Sequence, residues 1–429
     1  MLTSIPPFTF DRAALRLRYL GNRNRSAELF ALVEPSAYYE RPIALRHPVV
    51  FYEGHLPAFS LNKLVREALG GPAVDPALER LFERGIDPAD VSDAARHERD
   101  SWPDRARVRE FGAACDAAVL QALANGDLTD SARSPMLERA QAAYTILEHE
   151  EMHHETLLYM LHRLPYERKR SRGRAGAYVE REALARGRVA VPAGAATLGA
   201  RRDRLQFGWD NEFDELTVAA GAFEIGVNNV TNGEWLAFVK AGGPVPSFWI
   251  ERSGSRAGFN LLGMFEEMPL PLSWPVYVTQ AQARAYAAWK GARLPSEVEY
   301  HRAAFGTPAG IERPFPWGDE QPTSKHGNFD FRRFDPESVG INPAGASAWG
   351  VHDLVGNGWE WTSTEFAPLP GFTPMASYLP YSADFFDGDH FVIKGASPVT
   401  SRHQVRRSFR NWYRPQYPYV YATFRTVNS

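Results

Sequence analysis

A chain of 429 residues, 44% hydrophobic and 23% charged, can bury a large core, which excludes a disordered or fibrous protein and predicts two domains or one large one. Its 48 basic and 51 acidic side chains leave a formal charge of −3, too even for a protein held to a phosphate backbone. A single cysteine, Cys115, excludes an internal disulfide framework, a four-cysteine zinc site and a two-cysteine redox centre, and a reducing cytoplasm is the expected setting.

The N-terminal stretch lacks a basic start followed by an apolar run, and no eighteen consecutive apolar residues occur, so neither a secretory leader nor a membrane partner is expected. Up to Pro165 the pattern is helical. Apolar residues recur at three- and four-residue spacing in Pro76–Gly85, Arg105–Ala124 and Ser134–Leu164, and His55 falls among aromatic residues just before another helix. Tyr166–Gly176 is basic with no apolar stripe and reads as a solvated linker rather than a nucleic-acid arm. After Arg188 come short β-like runs broken by Gly, Pro, Asn and Asp, with helical stretches at Asn232–Lys240 and Thr279–Lys290 and a helix opening within Arg293–Glu299. The expected organisation is a helical bundle over 1–165, a basic linker over 166–188 and an irregular α+β domain over 189–429.

The most informative segment is Glu148-His149-Glu150-Glu151-Met152-His153-His154-Glu155. Four residues apart on one helix, His149 and His153 project from the same face and aim two imidazoles at one point. Neutral imidazole suits borderline metals, so a metal site is expected there. The same string satisfies H-E-x-x-H, so a zinc peptidase with Glu150 as general base stands as an alternative. His154, about 100° further round the helix than His153, belongs to a different face.

The spacing of His149, His153 and Glu155, with His55 as a single earlier histidine, resembles the nonheme-iron sulfoxide synthases of ergothioneine biosynthesis (EgtB-like). The C-terminal half carries the matching signatures: Asn229–Trp235, Arg293–Tyr300, Pro316-Trp317-Gly318, Gly356–Trp361 and Phe409-Arg410-Asn411. The resemblance implies a DinB-like four-helix bundle joined to a formylglycine-generating-enzyme-like (C-type-lectin-like) domain. It further implies Fe(II) as cofactor on His55, His149 and His153, O2 and hercynine as substrates, and Asn411 and Trp412 as hercynine contacts. Tyr378 and Tyr381 are the candidate proton donors, while Trp359 and Trp361 are expected in the core. Formylglycine generation itself is excluded, because this domain has no cysteine.

Departures from that family bear on the donor. Members using γ-glutamylcysteine carry an Asp just after the Asn-Trp pair and an Arg four residues later, where this chain has Tyr413 and Tyr417; the basic pair usual near Ser101-Trp102-Pro103 is also missing. Met152 stands where a Gln often precedes the second helix histidine. A charged dipeptide would lose its ion-pair partners here, whereas rings and hydroxyls suit a sugar. The chain therefore resembles most the selenoneine synthase (SenA) branch, which couples a selenosugar to hercynine through C–Se bond formation at the imidazole C2. The sulfur-using synthase, the zinc peptidase and a non-catalytic hercynine-binding module remain alternatives.

Overall fold

The computed structural model describes residues 10–83, 102–170, 187–255 and 257–428. The chain divides into two units, one of Met1–Gly173 with Met375–Leu379 and the other of Arg174–Pro374 with Pro380–Ser429. Residues 171–186, most of the expected linker, lie outside the described residues, as do Gly85 and Ser101. Tyr166–Arg168 form a 3-10 turn, and Lys169 bridges to Val33 while Arg170 N donates to Leu32 O at 2.7 Å. The start of the expected solvated linker is thus tied to the first unit by backbone hydrogen bonds.

Four long helices build the first unit: α1 (Arg12–Phe30), α2 (Val49–Ser60), α4 (Arg105–Asn125) and α5 (Gln141–His162), with a short α3 (Pro76–Phe82) between the second and third. Asp11, Asp75 and Asp104 cap α1, α3 and α4 by accepting from the first free backbone N–H groups. Two sequence expectations shift. The helix expected from Ser134 starts at Gln141, because Arg139 and Ala140 take φ of 52° and 57°, a left-handed conformation that breaks the helical ladder. His55 lies inside α2 rather than before a helix: Pro57 is absorbed within it, and packing of the buried Phe51, Tyr52, Leu56 and Phe59 overrides the local cost of a helical proline. Beyond Ser60 the helix continues as a π-helix, Leu61–Ala68.

On α1 the buried positions Leu15, Tyr19, Asn22, Ser26, Leu29 and Phe30 recur at three- and four-residue spacing, so one stripe faces the bundle. Its polar members are used: Asn22 Nδ2 donates to Leu147 O at 2.9 Å and Ser26 Oγ to Glu150 Oε1 at 2.5 Å.

The second unit is an irregular α+β domain of short strands and long loops. Its largest sheet has the order β10 (Asn411–Tyr413), β9 (Phe391–Ala396), β8 (Gly358–Glu365), β11 (Ala422–Thr423), antiparallel except for the β8–β11 pair. Capping boxes open its main helices, with Thr231–Glu234 before Asn232–Lys240, Thr279–Gln282 before Gln280–Trp289 and Ser296–Glu299 before Glu297–Phe305. These elements agree with the sequence reading to within a residue or two. Trp359 and Trp361 are buried as expected. The glycines around Asn357 serve the loop: at Gly356 (φ 94°) a Cβ would meet Asn328 O at 2.8 Å, while the Asn357 side chain accepts from Glu337 N at 2.8 Å and donates to Glu337 O at 2.9 Å. That motif organises a turn.

Candidate functional site

Helix α5 is buried along almost its whole length, and its successive residues serve different neighbours. Glu151 forms a bidentate pair with Arg18 at 2.8 Å, Glu150 accepts from Arg23 at 2.7 Å, and His154 Nε2 lies 2.9 Å from Ser26 Oγ, all on α1. Arg23 also meets Asp116 of α4 at 2.9 Å. These buried pairs set the rotation of α5, and that rotation turns His149 and His153 toward α2.

There they meet His55. Candidate ligand atoms of His55, His149 and His153 lie within 4.8 Å of one another, so the triad could hold a metal ion. His149 Nε2 and His153 Nε2 are 3.1 Å apart, and the His55 ring centroid lies 5.3 Å and 5.0 Å from theirs. His55 Nδ1 donates to Phe82 O at 2.7 Å, which leaves the lone pair on Nε2, and that buried atom has no hydrogen-bond partner among the described residues. A second-shell carbonyl orienting an imidazole in this way is the usual preparation of a metal-ligating histidine.

The surroundings keep the rings neutral. Phe59 stacks on His149 at 3.4 Å and Tyr52 lies 5.9 Å from His153. Burial holds His55 down at about 4, against a backbone hydrogen bond that acts the other way. His149 and His153 lie well below the ordinary value, first through burial and then through neighbouring positive groups, Lys63 among those acting on His149 and Arg46 among those acting on His153. Three neutral nitrogen donors converge, the ligand form a divalent cation requires.

Tyr378 belongs to this unit. Ser377 fastens its segment, accepting or donating at 2.7 Å with Thr145 Oγ1 and taking Gln141 Oε1 at 3.1 Å through its backbone N–H. The Tyr378 ring centroid is then 5.3 Å from Phe59 and 6.1 Å from His149. Met152, also on α5, is partly exposed.

The other expected residues lie in the second unit. Arg410, buried, donates to Glu297 Oε1 at 3.0 Å and Ala367 O at 3.0 Å, and so anchors β10 with Asn411 and Trp412. Trp412 stacks on Phe366 at 4.1 Å and lies 5.5 Å from Phe385 and 5.3 Å from Tyr381. Tyr381 is itself stacked on Trp209 at 3.9 Å. Tyr413 and Tyr417 stack at 5.3 Å with an interplanar angle of 11°. Sequence reasoning did not find the supports Phe59, Ser26, Arg23 and the Phe82 carbonyl; the first three are ordinary helix residues there, and a backbone oxygen leaves no sequence signal.

Residues 18–157 match the DinB superfamily and residues 175–429 the sulfatase-modifying factor enzyme 1-like domain. The chain is 34% identical over 447 residues to hercynine oxygenase of Mycolicibacterium thermoresistibile, a match spanning 96% of this chain and 94% of that one. The chain belongs to the hercynine oxygenase family. Hercynine oxygenase of Mycobacterium tuberculosis is 40% identical over 50% of this chain and 55% of its own length. Ergothioneine biosynthesis protein 1 of Schizosaccharomyces pombe is 28% identical over 93% of this chain and 54% of its own.

Membership in the hercynine oxygenase family and the engagement of Glu150 with Arg23 and Ser26 together weigh against a zinc peptidase. Its would-be general base is a buried tie between helices. Glu150→Gln is expected to lower unfolding free energy by about 1–3 kcal/mol, since Arg23 loses a buried charged partner, and to leave turnover per bound metal within about twofold. Urea unfolding and steady-state rates on the same preparation check this; loss of all turnover in a folded variant would return Glu150 to a chemical role. Among the described residues no helix is long and apolar enough to cross a membrane.

Proposed function

We propose that this member of the hercynine oxygenase family is a selenoneine synthase, which uses Fe(II) and O2 to join the imidazole C2 of hercynine to the selenium of a selenosugar. The observation that carries the choice of donor is the Tyr413–Tyr417 stack, an uncharged aromatic pair where a thiol-peptide donor calls for an acid and an arginine. A ring face and phenolic hydroxyls suit a sugar's C–H face and hydroxyls, and offer no ion-pair partner to a dipeptide's charged ends.

The reaction balances without an added reductant. Hercynine loses the C2 hydrogen and the donor its Se–H hydrogen; C–Se and Se=O bonds form, and O2 leaves as the selenoxide oxygen and one water. His55, His149 and His153 would hold Fe(II), which when bound supplies the redox chemistry with O2. Trp412, framed by Phe366, Phe385 and Tyr381, offers the aromatic face that a trimethylammonium group prefers, and Asn411 beside it the polar contact. Tyr413 and Tyr417 would take the sugar, and Met152 would line the apolar part of the metal-bearing helix.

Of the two candidate tyrosines, the position of Tyr378 beside His149 favours it as proton donor, while the stacking of Tyr381 on Trp209 favours a positioning role. Tyr378→Phe is expected to slow selenoxide formation by about 10²–10⁴-fold with hercynine affinity nearly unchanged, and Tyr381→Phe to keep most of the rate. Rapid-quench product analysis separates the two; the reverse ranking would reassign the donor.

The names of the relatives favour a second reading, in which the donor is γ-glutamylcysteine or cysteine and the product belongs to ergothioneine biosynthesis. Anaerobically iron-loaded protein with hercynine and either a selenosugar or γ-glutamylcysteine tests the choice by O2 uptake and product mass. A hercynyl–selenium adduct formed only with the sugar supports the proposal, and turnover only with the thiol peptide overturns it.

A further inference from the structure

The π-helix that extends α2 places a cation beside the candidate metal centre. Leu61, Asn62, Leu64, Val65 and Ala68 of this π-helix are buried, while the Lys63 side chain is 22% exposed. Such turns recur at functional sites, where they displace one side chain from its helical register. Lys63 Nζ lies 6.0 Å from the Tyr378 ring centroid and acts on His149. Its ion-pair partner is Glu67, one helical step further, at 2.8 Å and 39% exposed. An exposed i,i+4 pair of this kind contributes little to stability and is readily exchanged. The rings of Phe59 and Tyr378 carry no charge, and Arg46 acts on His153, so beside Tyr378 it is Lys63 that offers a side-chain counter-charge to an anionic group arriving there.

Hercynine has such a group: its carboxylate stands at the end of the molecule away from the imidazole C2. We propose that Lys63 is the anchor for the hercynine carboxylate and that Glu67 is the internal carboxylate it exchanges on binding, an assignment that rests on the function proposed above. A selenosugar brings no carboxylate, so the site discriminates the acceptor rather than the donor. Lysine suits the task, since a mobile ammonium can leave Glu67 for the ligand without a fixed bidentate geometry.

Calorimetric titration of the iron-loaded, anaerobic full chain with hercynine and with its decarboxylated analogue, trimethylhistamine, tests this without turnover or donor. The wild-type protein is expected to prefer hercynine by about tenfold, Lys63→Ala to abolish the preference by weakening hercynine alone, and Lys63→Arg to retain most of it. Glu67→Gln, which frees the ammonium, is expected to bind hercynine about threefold more tightly. A preference that survives in Lys63→Ala, an equal loss of both ligands, or weaker hercynine binding in Glu67→Gln overturns the assignment. Should the wild-type protein bind neither compound, the proposed function itself fails and the anchor falls with it.

Discussion

Replacing His153 with alanine is expected to abolish turnover and to lower Fe(II) retention at least about 100-fold, because even outer-shell partners of a metal ligand are worth 10–100-fold and this variant removes a candidate ligand itself. The fold should persist. His149 Nε2 and His153 Nε2 are 3.1 Å apart with both rings buried, so deleting one leaves a small cavity and one buried nitrogen without that partner, a cost smaller than the stability of a domain. Iron content after anaerobic loading and gel filtration, together with melting curves with and without Fe(II), distinguishes loss of the site from loss of the fold. The wild-type protein should melt higher with iron than without, and His153→Ala should show one melting temperature in both conditions. Full iron occupancy in the variant would remove His153 from the ligand set. Unchanged hercynine affinity, with neither metal nor turnover in wild type and variant alike, would instead describe a binding module.

Arg425→Met is expected to destabilise the second unit by about 3–5 kcal/mol, the cost of leaving one member of a buried ion pair alone. Arg425 and Glu360 are both fully buried and meet through two contacts of 2.6 Å, Nε to Oε2 and Nη2 to Oε1. The same guanidinium donates to the carbonyls of Gly226, Val227 and His352 at 3.0, 3.1 and 2.8 Å. One side chain near the C-terminus therefore joins β8, the end of the Phe223–Gly226 strand and the loop at His352, and its removal strands a carboxylate and takes one donor from each of three carbonyl oxygens, of which Val227 O keeps His352 N at 2.9 Å. Against a domain stability of about 5–15 kcal/mol this is a large fraction. Denaturant unfolding followed by tryptophan fluorescence measures it. The double variant Arg425→Met with Glu360→Leu should recover part of the loss, since no charge is then left uncompensated; a single variant within about 1 kcal/mol of wild type would show that water reaches the pair.

Several parts of the molecule were legible locally. The i,i+4 spacing of His149 and His153 on an apolar-flanked helix fixes two imidazoles on one face whatever surrounds them, and the structure keeps that geometry. The helices expected at Asn232–Lys240, at Thr279–Lys290 and opening within Arg293–Glu299 were legible for the same reason, and the structure closes each start with a capping box inside four residues. Where non-local contacts decide, local reading failed: it puts His55 just before a helix, but core packing carries α2 through Pro57 with His55 inside it, and Arg139 and Ala140 delay a helix that apolar spacing started earlier. From the sequence Glu150 is a candidate general base; Glu150 and Glu151 are buried ties because Arg18, Arg23 and Ser26 lie opposite them on α1.

The sequence by itself determined the family, the two-part organisation and the pairing of two imidazoles on one helix face, since helical spacing and motif content need no partner from elsewhere in the chain. Tertiary structure alone decided that His55 completes the triad with its Nε2 lone pair exposed to the other two rings, that Tyr378 lies beside His149, and that Lys63 stands 6.0 Å from the Tyr378 ring. Each of these depends on side chains brought together from distant positions, by buried ion pairs that rotate one helix and a π-helical turn that shifts the register of another, and no local pattern encodes either.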